Sequence, residues 1–145
     1  MDKERKYAHL NDHDSAVFET KKEADRSFNK ALSICIDNID FLKICVATHN
    51  EKSCKILTNL MIENNITKGD SRIFFAQLYG MSNHVSFNLA NKTFNVLKYT
   101  PYGHIKESIP YLLRRADENK SVQGQMSREL QLINKEIKRR KRALY

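Results

Sequence analysis

The sequence predicts an α/β protein with parallel strands. Short apolar runs of strand length alternate with segments of helical period, and turn residues mark the junctions. The runs are "LKICVA" (42–47), "IFFAQ" (73–77) and "FNVLKY" (94–99).

Residues 1–15 read as a loop, polar through 11–15. Thr20 and Glu23 then have capping-box spacing, with Thr20 as N-cap. Phe28, Leu32 and Cys35 follow at helical intervals, so a helix is expected to about residue 38. The first strand is expected over 42–47, largely apolar and buried. Asn50 offers an N-cap for a helix over 51–65, with Cys54, Leu57 and Met61 on one side. Gly69 and Asp70 mark a turn into the second strand. A short helix over 83–90 leads to the third strand, and Pro101 with Gly103 punctuates the next turn. A helix carrying Arg114 and Arg115 follows, and a last helix spans 126–142. The chain thus divides into a loop (1–15), strands and helices (16–121) and a basic terminal helix (122–145). Three strands are too few for a complete sheet of this kind, so a partial domain is expected.

The 145 residues allow one modest domain with a core, and 41% hydrophobic content is not a disordered composition. The net charge of +8 admits either a polyanionic partner or a basic solvated face. Much of the excess lies in "KEIKRRKRALY" (135–145). No apolar run reaches membrane-span length, and "MDKERKYAHLNDHD" has neither a secretory h-region nor the acid-poor character of a transit peptide. Cys35, Cys45 and Cys54 fit no zinc spacing and read as buried thiols of a reducing compartment.

In the helix around "YLLRRADEN" (111–119), Ile105, Ile109, Leu112 and Ala116 fall on one stripe, expected to pack the helix. Glu107, Tyr111, Arg114, Arg115 and Glu118 fall opposite. Two guanidinium forks beside an aromatic ring suit a small carboxylate. An ordinary charged face, with Arg115 paired to nearby glutamates, is the plainer reading. Pro110 lacks a backbone donor and is best tolerated near the first turn.

"KYTPYG" (98–103), "YLLRRADEN" (111–119), "VATHN" (46–50) and "QLYGMS" (77–82) resemble, in order and spacing, the end of the proline dehydrogenase catalytic domain. "KERKYA" (3–8) resembles the segment after that family's fifth strand. The resemblance implies the C-terminal portion of a (β/α)8 TIM-like barrel. It implies FAD-dependent oxidation of L-proline to 1-pyrroline-5-carboxylate, with electrons passed to quinone. Arg114 and Arg115 would clamp the substrate carboxylate. Tyr111 would close the site, Tyr99 would line it, and Leu78 would meet the substrate ring. Thr48, His49, Asn50, Gln77 and Glu118 would contact FAD. No metal is implied. A mitochondrial location, on the matrix side of the inner membrane with peripheral membrane contact, rests on the same resemblance. The family's early lysine and aspartate, and an arginine near the flavin, would lie before Met1. The expectation is therefore a fragment, catalytically incomplete and weak or inactive in binding FAD alone.

Two other readings stand beside it. One is a basic helical binding module without catalysis. The basic tail lacks interleaved aromatics, which disfavours a single-strand nucleic-acid platform, and no nucleic-acid partner is expected. The other is a dehydrogenase for hydroxyproline, which would need a partner for the ring hydroxyl.

Overall fold

The computed structural model describes the backbone of residues 2–121 and 125–142 and the side chains of residues 3–117 and 130–142. It contains two compact units, residues 1–44 with 50–73, and residues 45–49 with 74–145.

The first unit is helical. It holds α1 (Asp2–Leu10), α2 (Lys21–Asp37) and α3 (Glu51–Glu63). The capping box forms as the sequence suggests. Glu23 N donates to Thr20 Oγ1 at 3.2 Å, and Thr20 N donates to Glu23 Oε2 at 3.1 Å. Asn50 caps α3 by accepting from Lys52 N at 3.0 Å. Leu32 and Ile36 of α2, and Cys54, Leu57 and Met61 of α3, are buried at helical spacing.

The expected loop over 1–15 is corrected over residues 2–10, which form α1. "DKERKYAHL" is rich in good helix formers, and polarity alone does not break a helix. Buried Ala8 gives it a packing point, and the Asn11 amide closes its end on Tyr7 O at 2.8 Å.

Arg72 ties the two turns of this unit that precede strands. Its Nε and Nη2 donate to Asp70 Oδ1 and Oδ2 at 3.0 and 2.8 Å, a bidentate fork. Its Nη1 reaches Asp40 Oδ1 at 2.8 Å. The fork, then a backbone bond from Arg72 N, holds the Asp70 carboxyl at about 2, below its ordinary 3.8.

The second unit carries the sheet, in the order β1 (Ile44–Ala47), β2 (Ile73–Leu78), β3 (Val96–Tyr99). Its helices are α4 (Asn83–Asn91), α5 (Ile105–Ser121) and α6 (Gln125–Arg142). β2 and β3 pair in parallel, with Phe75 opposite Val96 and Leu78 opposite Tyr99. Ile44 N donates to Arg72 O and Thr48 N to Ala76 O, four residues further along both strands, so β1 is parallel too. β2 is bonded on both edges, and its residues are buried on both faces apart from Phe74. The first and third strands begin later than expected. Phe94 precedes the ladder as a core contact, edge-on to Phe75 with centroids 5.6 Å apart.

Two further expectations are corrected. Cys54 is buried, but Cys35 is half-buried and Cys45 exposed. Cys45 and Ala47 alternate with buried Val46 on a strand at the sheet's edge, so they point the other way. Burial, then the nearby Glu51 charge, pushes the Cys54 thiol up to about 11. In α5, the Ile105, Ile109 and Leu112 stripe does not pack the helix: Ile105 is 77% exposed and the other two are exposed as well. Ser108, Tyr111 and Arg115, spaced three and four apart, form the half-buried face instead. Pro110 is accommodated inside α5, one turn further in than its preferred place.

Leu57 has no exposed surface. Leu57→Ala is expected to lower unfolding stability by about 3 kcal/mol, through lost burial plus a cavity, read as a lower urea midpoint at unchanged slope. A second expectation concerns acid. A carboxyl whose folded value is depressed contributes stability above its unfolded value and loses it as pH falls through the folded one. Stability should therefore decline from pH 3.8 toward about 2. Asp70→Asn should remove its share of that decline in urea titrations stepped through this range.

Candidate functional site at the carboxyl ends of the strands

Parallel strands present their carboxyl ends on one side of a sheet, where following loops can converge. The register here aligns Tyr99 with Leu78, and Thr48 N reaches Ala76 O at 3.2 Å. Thr48, His49, Leu78 and Tyr99 therefore emerge at the same end.

Beyond β2 the chain turns sharply. Gly80 has φ +81°, a region that favours glycine, and Met81 N donates to Leu78 O at 3.1 Å. Lys98 Nζ donates to Met81 O at 2.7 Å, fastening the turn to β3. Ser82 follows, also left-handed, immediately before α4.

A buried polar network lies beneath this turn. Gln77, Ser82 and Ser86 are all buried. Ser86 Oγ donates to Gln77 Oε1 at 2.8 Å, which leaves Gln77 Nε2 to donate to Thr48 O at 3.4 Å. His49 Nδ1 and Ser82 Oγ lie 3.0 Å apart. The first turn of α4 thus holds the ends of β2 and β1 through side chains.

α5 closes the other flank. Tyr111 meets Tyr99 edge-on, with centroids 6.3 Å apart at 87°. The Arg115 guanidinium carbon sits 5.4 Å from the centre of the Tyr111 ring, within cation–π range. The side chains line up from strand end to helix as Tyr99, Tyr111 and Arg115. The ring thus fixes the position of one guanidinium beside the strand ends.

The sequence-predicted residues distribute as follows. Thr48 and His49 are half-buried at the end of β1, and Leu78 is buried at the end of β2. Gln77 is buried one residue earlier, with its amide spent on Thr48 and Ser86. Tyr99, Tyr111 and Arg115 are brought together, while Arg114 is exposed on the same helix. Asn50 belongs to the helical unit, where its side chain caps α3. The Glu118 side chain lies outside the described residues. Sequence reasoning missed Ser82, Ser86 and Lys98. A serine at position 86, among the buried Val85 and Leu89, was the available signal, since a polar residue in a core face needs a partner.

Comparison with known proteins identifies the fold and the family. The family described as Proline dehydrogenase matches residues 1–128. Proline dehydrogenase 2, mitochondrial, of Arabidopsis thaliana is 38% identical over 97% of this chain and 30% of its own length. Hydroxyproline dehydrogenase of Xenopus laevis is 39% identical over 97% of this chain and 31% of its own length. The chain thus spans about a third of the length of these curated relatives. The crystal structure of proline utilization A from Bdellovibrio bacteriovorus, inactivated by N-propargylglycine, matches with a TM-score of 0.75. It is 25% identical, over 84% of this chain and 12% of that one. The three parallel strands with their helices are accordingly part of a (β/α)8-like barrel. With the family matched from Met1 through all of α5 and into the start of α6, and the strand ends disposed as that barrel requires, the chain belongs to the proline dehydrogenase family.

Proposed function

We propose that this chain supplies the substrate-carboxylate and cofactor-facing part of an FAD-dependent L-proline dehydrogenase that forms 1-pyrroline-5-carboxylate. The observation that carries the reading is the line of Tyr99, Tyr111 and Arg115 beside the strand ends.

In this reading Arg114 and Arg115 bind the proline carboxylate and fix the ring's orientation. Tyr111 holds Arg115 and covers the substrate, Tyr99 lines the pocket, and Leu78 offers the ring an apolar surface. The residues at the end of β1 fit a flavin's polar edge: Thr48 and His49 are half-buried, and Gln77 braces the Thr48 carbonyl from behind. Glu118, further along α5, completes the candidate cofactor set. When bound, FAD would supply the acceptor for hydride from the carbon beside the proline nitrogen. The chain's part is to orient, to neutralise the carboxylate and to exclude water.

Quinone is the proposed electron acceptor, and the mitochondrion is the proposed location, as the names of several relatives suggest for the latter. α6 is the candidate contact with an anionic membrane. Leu130, Ile133 and Ile137 are exposed on it, amid Lys135, Lys138, Arg139, Arg140, Lys141 and Arg142. Glu136 engages Arg139 and Arg140, leaving the lysines of that run to face lipid headgroups. The similarity to hydroxyproline dehydrogenase supports a second reading, a hydroxylated substrate in the same carboxylate clamp.

In a complete barrel that carries this segment and FAD, Arg115→Met should weaken proline binding about 100-fold, as loss of a charge-assisted fork does, while leaving the flavin absorbance spectrum unchanged. Equal proline affinity in the two proteins would remove Arg115 from the clamp. The ratio of kcat/KM for proline and hydroxyproline decides between the two substrates. For α6, deletion of residues 137–145 should abolish co-sedimentation with phosphatidylserine vesicles, and unchanged sedimentation would end the membrane reading of the tail.

A further inference from the structure

Ser82 gives up two local preferences at once. It stands where a serine hydroxyl normally accepts from the first turn of the following helix, yet it makes no side-chain cap bond to α4. Its backbone is left-handed, φ 49° and ψ 40°, a region costly for a residue with a Cβ. Glycine already stands two positions earlier, so the turn has access to a residue without that cost. What the hydroxyl reaches instead is His49 Nδ1, 33 residues away in sequence and 3.0 Å in space.

The direction of that bond follows from burial. Ser82 is buried, and its hydroxyl proton must be given to something. Among the described residues its acceptor is His49 Nδ1. If His49 donated from Nδ1 instead, the Ser82 proton would be stranded in the interior. Nδ1 is therefore the acceptor, and the ring carries its proton on Nε2. The neighbouring bonds reinforce the arrangement. Ser86 Oγ also lies 3.3 Å from Ser82 O, and the Gln77 amide that Ser86 orients donates to Thr48 O, directly before His49.

We propose that Ser82 is a positioning residue for His49, fixing its ring plane and its Nε2–H tautomer, with Gln77 and Ser86 fixing the backbone behind it. The inference deepens the reading above, on which it rests for what His49 does: a ring held this way presents one fixed plane and one fixed tautomer at the end of β1, beside the cofactor. The abandoned cap and the left-handed backbone are the local cost of that fixed ring.

The test uses the full chain with 15N-labelled histidine. Ring nitrogen shifts should show His49 as a single Nε2–H tautomer. Ser82→Gly removes the hydroxyl and relieves the left-handed backbone together. It should keep or raise Tm while His49 becomes a mixture of tautomers, and FAD affinity, measured in a complete barrel that carries this segment, should fall about tenfold, the size of one lost hydrogen bond. Ser82→Ala, which keeps the backbone cost, should change His49 in the same way at lower Tm. An Nδ1–H ring in the unmodified chain, or an unchanged His49 signal in Ser82→Gly, overturns the proposal. If the tautomer changes but neither Ser82→Gly nor His49→Ala alters FAD affinity, the positioning role holds and the cofactor role of His49 falls.

Discussion

A strand bonded on both edges and buried on nearly all its side chains has little tolerance for an amide, and β2 carries one at Gln77. An unpartnered amide there would cost about 1–3 kcal/mol. Its partners are therefore dictated: Ser86 on α4 for the oxygen, and the Thr48 carbonyl at the end of β1 for the nitrogen. This one requirement sets how α4 returns against the sheet and where the chain leaves β1. The candidate site depends on it, because the residue after Thr48 is His49.

The same logic accounts for the turn between β2 and α4. It has to bring Ser86 under Gln77 within a few residues, and it does so with two left-handed residues, Gly80 and Ser82. Lys98 holds the Met81 carbonyl and joins the turn to β3. The three strand ends are thus linked by side-chain and backbone bonds as well as by the ladder. Such linkage suits a surface that must present groups at fixed spacing.

α5 shows a different balance. Amphipathic helices in a globular protein ordinarily turn their apolar stripe inward. In α5 the half-buried face is Ser108, Tyr111 and Arg115, while Ile105, Ile109, Leu112 and Leu113 are exposed. Edge-on contact between Tyr111 and Tyr99, with Arg115 over the ring, takes the place of aliphatic packing. A guanidinium is thereby half-buried while the neighbouring leucines stay exposed.

Local rules in the sequence determined much of this protein. The Thr20 capping box, the Asn50 cap, the buried stripe of α3 and the strand–helix alternation depend on residues a few positions apart, and all were legible. So were Thr48, His49, Leu78, Tyr99, Tyr111 and Arg115 as candidates, through blocks of residues that resemble a known family. Helix α1 was missed because its polarity masked good helical propensity, and the inward face of α5 was misjudged because periodicity identifies two faces without saying which one is buried. Tertiary structure alone decided that Ser82 would serve His49 and not cap its own helix, and that Gln77 would brace Thr48. Those bonds span 33 and 29 residues. They exist because strand register brings the partners together and burial leaves their protons nowhere else to go.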